Sequence, residues 1–138
     1  MNFLEIFAGA ILAICFLLVF RQTSIVKFKS FFSKTLILAA AIYVGFILFG
    51  LIRGTGSINW LVLELVGFAF FSVFALYGQK KSILDLGIGW LLHIGWDVGL
   101  HSSADASFVP TFYPAVCLGF DLVFGVYLLY NFFVGFKE

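Results

Sequence analysis

Three ionisable side chains recur at four-residue intervals in Trp90-Leu-Leu-His93-Ile-Gly-Trp96-Asp97-Val-Gly-Leu-His101, inside a segment that otherwise reads as membrane-spanning. Residues four apart on an α-helix advance about 40° beyond a full turn, so His93, Asp97 and His101 share one face. A titratable group at bilayer depth costs about 2.5–3.5 kcal/mol on insertion scales, and such groups face a bundle interior or a polar cavity. Imidazole and carboxylate are ligands for zinc and iron, and in membranes they also relay protons. The spacing restricts what one ion can do. At 1.5 Å per residue the two histidines stand about 12 Å apart along the axis. One ion with bonds of about 2.0–2.2 Å cannot reach both. A neighbouring pair can share an ion while the third group orients a ligand; two ions, or a proton relay, would use the same stripe.

The last apolar segment adds Cys117 and Asp121, again four apart. If it runs antiparallel to the His/Asp segment, Asp121 lies at the depth of His93 and Cys117 at that of Asp97. Glu64, early in the third apolar segment, is expected at a similar level. The candidate set is therefore His93 and Asp97 as catalytic groups, with His93, Asp97, His101, Asp121, Glu64 and Cys117 as ligands of a divalent transition metal, zinc or iron. Ordinary roles compete for each. Pairing with His93 alone would satisfy Asp121, and Glu64 could reach Arg53 or Asn59. Cys117 could be a small hydrophobe, while His101 and Asp105 could be solvated at a helix end. Trp60, Trp90, Trp96 and Tyr113 suit interfacial anchoring or packing, and Glu5 suits solvent. No nucleophile-elbow motif marks a Ser-His-Asp or Cys-His arrangement. No phosphate-binding loop or dinucleotide fingerprint occurs.

The elements that must position these groups follow from composition. Of 138 residues 63% are hydrophobic and 11% charged, against about 45–50% and about 25% in a soluble domain. The bilayer must be the solvent for much of this chain and is its first partner. A net charge of +1, without a basic stripe, argues against nucleic acid. Cys15 and Cys117 fall at different depths, so no disulfide is expected between them. The first apolar run has no basic n-region ahead of it, which predicts a retained helix rather than a cleaved signal.

A spanning helix needs about 20 apolar residues. Five segments qualify, 3–20, 35–52, 59–77, 86–101 and 111–134, with short connections and no internal repeat. The expected fold is an all-α membrane protein, one compact domain of five transmembrane helices. Seven of the eight Lys and Arg (Arg21, Lys27, Lys29, Lys34, Lys80, Lys81 and Lys137) fall on one side of it, and Arg53 on the other. By the positive-inside rule the N-terminus is outside and the C-terminus cytoplasmic. The fourth segment is short and Gly-rich; were it re-entrant, Lys137 would move outside and the charge bias would weaken. Ser24–Ser33 alternates aromatic and basic residues, as a short amphipathic piece at the headgroups or a basic loop would. Gly95 and Gly99 make a small-x-x-x-small step, which predicts close packing of the fourth helix within the bundle or, second, a homodimer seam.

Gly87-Ile-Gly-Trp-Leu-Leu-His93-Ile-Gly-Trp-Asp97-Val, followed by His101, a Pro-containing loop and Cys117-x-x-x-Asp121, resembles a family of small bacterial integral membrane proteins classed only as a domain of unknown function. The resemblance rests on a W-L-L-H-x-G-W-D-x-x-x-H block and a later C-x-x-x-D, over about the last third of the chain. Members often carry two adjacent His residues where this chain has Leu100-His101, so one potential ligand is absent here. The resemblance implies a bacterial inner-membrane setting and brings no activity with it.

Three functions fit these residues. The first is a metal site acting on a lipid or small hydrophobic substrate. A structural or accessory membrane subunit, with a homodimer or membrane partner, would use the cluster to lock helix packing. A proton or ion conduit needs polar groups through the cytoplasmic half as well, and that half is almost purely apolar.

Overall fold

The computed structural model describes residues 2–20, 24–101 and 106–135. Arg21, Lys137 and Asp105 lie outside the described residues. Five α-helices follow one another: α1 (Phe3–Phe20), α2 (Ile25–Arg53), α3 (Ile58–Lys81), α4 (Ile83–His101) and α5 (Tyr113–Val134). All five are long and apolar enough to cross a membrane, from a mean hydropathy of 2.7 in α1 down to 1.3 in α4. The fourth segment is a continuous helix, and its low hydropathy comes from the site residues it carries.

Two boundaries differ from the sequence expectation. Ser24–Ser33 is not a separate interfacial piece, because Ile25 already opens α2. Phe28, Phe32 and Leu36 recur every four residues and form one buried stripe with Ala40, Tyr43 and Ile47. Phe32 meets Phe124 of α5 edge-on at 4.8 Å, while Lys27 stays exposed. A helical stripe had been interleaved with basic residues. The 78–85 connection likewise shrinks to Ser82 alone. The backbone N–H of Ser82 donates to Gly78 O, ending α3, and its Oγ accepts from Leu84 N at the start of α4.

Helix ends carry their own signals. Asn2 and Glu5 cap α1 reciprocally: Leu4 N donates to Asn2 Oδ1, and Asn2 N donates to Glu5 Oε2. This is a capping-box arrangement, so Glu5 has a local structural role. Gly54 closes α2 in the left-handed region, φ 74°, where glycine alone avoids a Cβ penalty. Ser57 Oγ accepts from Trp60 N at the start of α3.

α4 is the hub, packed on α5, α3 and α2; α1 is held chiefly by α5. The α1–α5 crossing is a glycine contact. A Cβ on Gly9 would overlap the carbonyl of Val116, and one on Gly119 would overlap the carbonyl of Ile6. The small residues that bring backbones together are therefore Gly9 and Gly119, not the pair expected from spacing. Gly95 and Gly99 are exposed, and a Cβ on either would meet nothing within 4 Å. Their face of α4 points away from the bundle because the opposite face buries the polar stripe.

Candidate metal centre

The polar face of α4 turns inward as its spacing requires: His93, Asp97 and His101 are all buried. The axial distance splits the stripe into two sites. At the first, His93 Nδ1 lies 2.8 Å from Asp121 Oδ2 on α5 and 3.4 Å from Asp97 Oδ2 one turn along α4. His93, Asp97 and Asp121 each offer a ligand atom within 4.8 Å of the others. At the second, His101 Nε2 stands 2.5 Å from Glu64 Oε1, whose other oxygen accepts from Trp96 Nε1 at 3.4 Å.

The two distances at His93 mean different things. A separation of 2.8 Å is an ordinary N–H···O bond, which weakens beyond about 3.2 Å. Asp97 is fully buried, and neither of its oxygens has a hydrogen-bond partner. Two ligands of one tetrahedral ion, each bound at about 2.1 Å, stand about 3.4 Å apart. The His93–Asp97 spacing matches that value. Desolvating a carboxylate without a good hydrogen bond costs several kcal/mol, and a cation between Asp97, Asp121 and His93 would offset it. One nitrogen and two carboxylates are a fitting donor set for zinc or iron.

The structure brings together three of the six predicted ligands and places the others around them. Asp121 reaches His93, as antiparallel packing of α4 and α5 predicts. His101 and Glu64 pair with each other, beyond reach of the first group, and Glu64 turns to Trp96 rather than to Arg53 or Asn59. Glu64 and Gly67 lie three residues apart on α3, and the Trp96 indole rests where a Gly67 Cβ would be. Cys117 is buried one turn before Asp121 and is not in the three-residue group. Trp90 is fully buried against Phe124, at 5.0 Å between ring centroids, so it packs the core rather than anchoring an interface.

Tyr43 belongs to the site and carries no motif. It is fully buried on α2, and its ring stacks on His101 at 4.0 Å and 16°. It also stands 6.1 Å from His93, and its hydroxyl has no hydrogen-bond partner. The available signal was its place on the inward stripe of α2, in step with Leu36, Ala40 and Ile47. His93 Nε2 and His101 Nδ1 are also buried without partners. Beside the first site, a cavity of about 220 Å³ lies among α1, α2 and α5, and Asp121, Cys117 and Trp90 contribute to its wall.

Over residues 4–135 the chain matches a family of unknown function, DUF6010. The chain belongs to that family. The match runs through all five helices, so both polar sites fall inside it. No curated protein and no solved structure matches the chain.

Proposed function

We propose that this is a multi-pass inner-membrane protein whose His93, Asp97 and Asp121 hold one divalent transition ion, zinc or iron, and act on a lipid or small hydrophobic substrate. The observation that carries the reading is Asp97, a fully buried carboxylate with no well-formed hydrogen bond on either oxygen and a ligand-pair distance to His93. Such an ion supplies Lewis acidity and activates bound water. Asp121 accepts from His93 Nδ1 when no ion is bound and so pre-orients the ring. His101 Nε2 is taken up by Glu64, and its Nδ1 is left buried without a partner. Tyr43 stacks over that ring and keeps water from it.

The site lies toward the C-terminal end of α4 and the N-terminal end of α5, and the positive-inside rule makes this the outer half. All five buried carboxyl and imidazole groups among the described residues, Glu64, His93, Asp97, His101 and Asp121, gather there. A conduit would need a continuation toward the other face, and this distribution disfavours one. The cross-helix pairs His93–Asp121 and His101–Glu64 favour a second reading, in which the cluster locks the helices of a structural or accessory subunit.

Elemental analysis of detergent-purified protein separates the two. The metal reading expects about one equivalent of ion per chain, lost in His93→Ala/Asp97→Ala, and a melting temperature that falls on chelation. Protein without stoichiometric metal, whose melting ignores both added metal and chelator, overturns it and leaves the structural lock.

A further inference from the structure

We infer that a cleft at the lysine-rich end of the bundle binds the phosphate of one anionic phospholipid. Three segments far apart in sequence meet there: the first two turns of α2, the α3–α4 connection and the last turn of α5. They enclose about 230 Å³ between Lys29, Lys81, Ser82 and Asn131, with Ile25 and Phe132 in the apolar part of the wall. The cleft opens at the start of α4, ten residues from His93, or about 15 Å at 1.5 Å per residue. It is therefore separate from the candidate metal centre, and nothing in it depends on an ion there.

The polar lining can give hydrogens and offers no negative charge. Lys29 and Lys81 end in ammonium groups with three donors each. Ser82 Oγ accepts from Leu84 N and has its own hydrogen left to donate. Asn131 gives one amide hydrogen to Tyr127 O at 2.7 Å and keeps another. No carboxylate lines the cleft. Asp85, the acidic residue closest in sequence, lies in the first turn of α4, where it suits the helix dipole. Among the described residues neither lysine forms an ion pair. Lys29 is half-buried, whereas Lys27, Lys34, Lys80 and Lys81 are exposed. A partly desolvated ammonium that shares a cleft with a second one, and with no counter-charge, is costly until an anion arrives.

Size and setting select the source of that anion. The volume falls below the roughly 300–1,000 Å³ of pockets for drug-sized ligands, so it suits a phosphate group better than a whole soluble cofactor. The cleft lies at the ends of membrane-spanning helices, at headgroup depth, where basic pockets between helices take lipid headgroups. Phe132 at its rim, and Phe133 and Val134 beyond, are exposed and would meet the acyl chains of the same lipid. A zwitterionic headgroup would bring an ammonium of its own toward two lysines. The lipid is therefore anionic.

Native mass spectrometry of the full chain in detergent, titrated with phosphatidylglycerol, tests this. One lipid should be retained per chain. Lys29→Gln and Lys81→Gln should each weaken retention about fivefold, the share of one lysine at an anionic surface. Lys27→Gln and Lys80→Gln remove the same charge from the same end of the bundle but outside the cleft, and should leave retention unchanged. Without lipid, Lys29→Gln should not lower the melting temperature, because the charge it removes has no partner in the protein. Equal losses from all four variants would mean diffuse surface charge and overturn the inference. It also fails if phosphatidylcholine is retained as tightly as phosphatidylglycerol, or if lipid-free Lys29→Gln melts lower than wild type. Inorganic phosphate that displaces the lipid at equal concentration would make the cleft a site for soluble anions and overturn it as well.

Discussion

Asp97 and Asp121 approach the same imidazole nitrogen but hold it by different means, so neutralising them should have different costs. Asp121 accepts a hydrogen bond from His93; Asp97 stands 3.4 Å from the same nitrogen and has no well-formed hydrogen bond. In chelator-treated protein, Asp121→Leu leaves His93 Nδ1 with only the long contact to Asp97 and should cost about 1–3 kcal/mol. Asp97→Leu removes a buried charge held only by a long contact to His93 and should leave stability unchanged or raised. Both variants should lose the ion. Denaturant unfolding in micelles with and without chelator measures each effect, and the reverse order of stabilities would refute the geometry. The pairing of His93 with Asp121 was legible because two four-residue spacings on antiparallel helices can meet in few ways. The pairing of His101 with Glu64 was not, since spacing along α4 says how far apart two groups lie but not which neighbour each one faces. The seat of Trp96 on Gly67 was hidden for a related reason: a missing side chain has no signature of its own. Gly67→Val should displace Trp96 and cost about 1–3 kcal/mol through overpacking. Unfolding in detergent would show it, and wild-type stability would argue that the indole does not rest there.

At the level of helices, two glycine pairs offer a direct contrast. Without a hydrophobic driving force between helices in lipid, close approach at small residues supplies much of their association. Gly9 and Gly119 each face a backbone carbonyl of the partner helix, whereas Gly95 and Gly99 face open space. Gly9→Leu or Gly119→Leu should therefore free α1 from α5. Gly95→Leu should change stability by no more than about 0.5 kcal/mol, as remote surface substitutions do. Disulfide trapping between cysteines placed at Ile6 and Ala115 in an otherwise cysteine-free chain, with and without Gly119→Leu, would report the crossing. Efficient trapping in that background, or a large loss from Gly95→Leu, would reverse the assignment. Spacing alone favoured the wrong pair, because a small-x-x-x-small step says that a close approach is allowed and not that a partner is present. The early start of α2 was obscured differently. Its basic residues broke the apolar run used to find spans, although Phe28, Phe32 and Leu36 already kept helical time.

For the molecule as a whole, the polar groups are gathered at one end and the membrane determines what that end can meet. Length and hydropathy were enough to find five spans, since a 63% hydrophobic chain has few other ways to satisfy its backbone in lipid. Orientation rests on charge alone. Of the Lys and Arg among the described residues, Lys27, Lys29 and Lys34 lie in the first turns of α2 and Lys80 and Lys81 in the last turn of α3, at one end of the bundle; Arg53 closes α2 at the other. A positive-inside bias of this kind sets overall topology. Single cysteines introduced at Ser57 and Ser82 of a Cys15→Ala/Cys117→Ala chain should therefore react oppositely with a membrane-impermeant maleimide in intact cells. Ser57→Cys, at the α2–α3 connection, should be labelled from outside, and Ser82→Cys only after the membrane is opened. The inverse pattern would place Glu64, His93, Asp97, His101 and Asp121 in the cytoplasmic leaflet. The metal group and its lateral cavity would survive that result, because both depend on helix packing. The source of substrate would not: a lipid reaching Asp121 would then have to be drawn from the inner leaflet, and the reaction would face the cytoplasm.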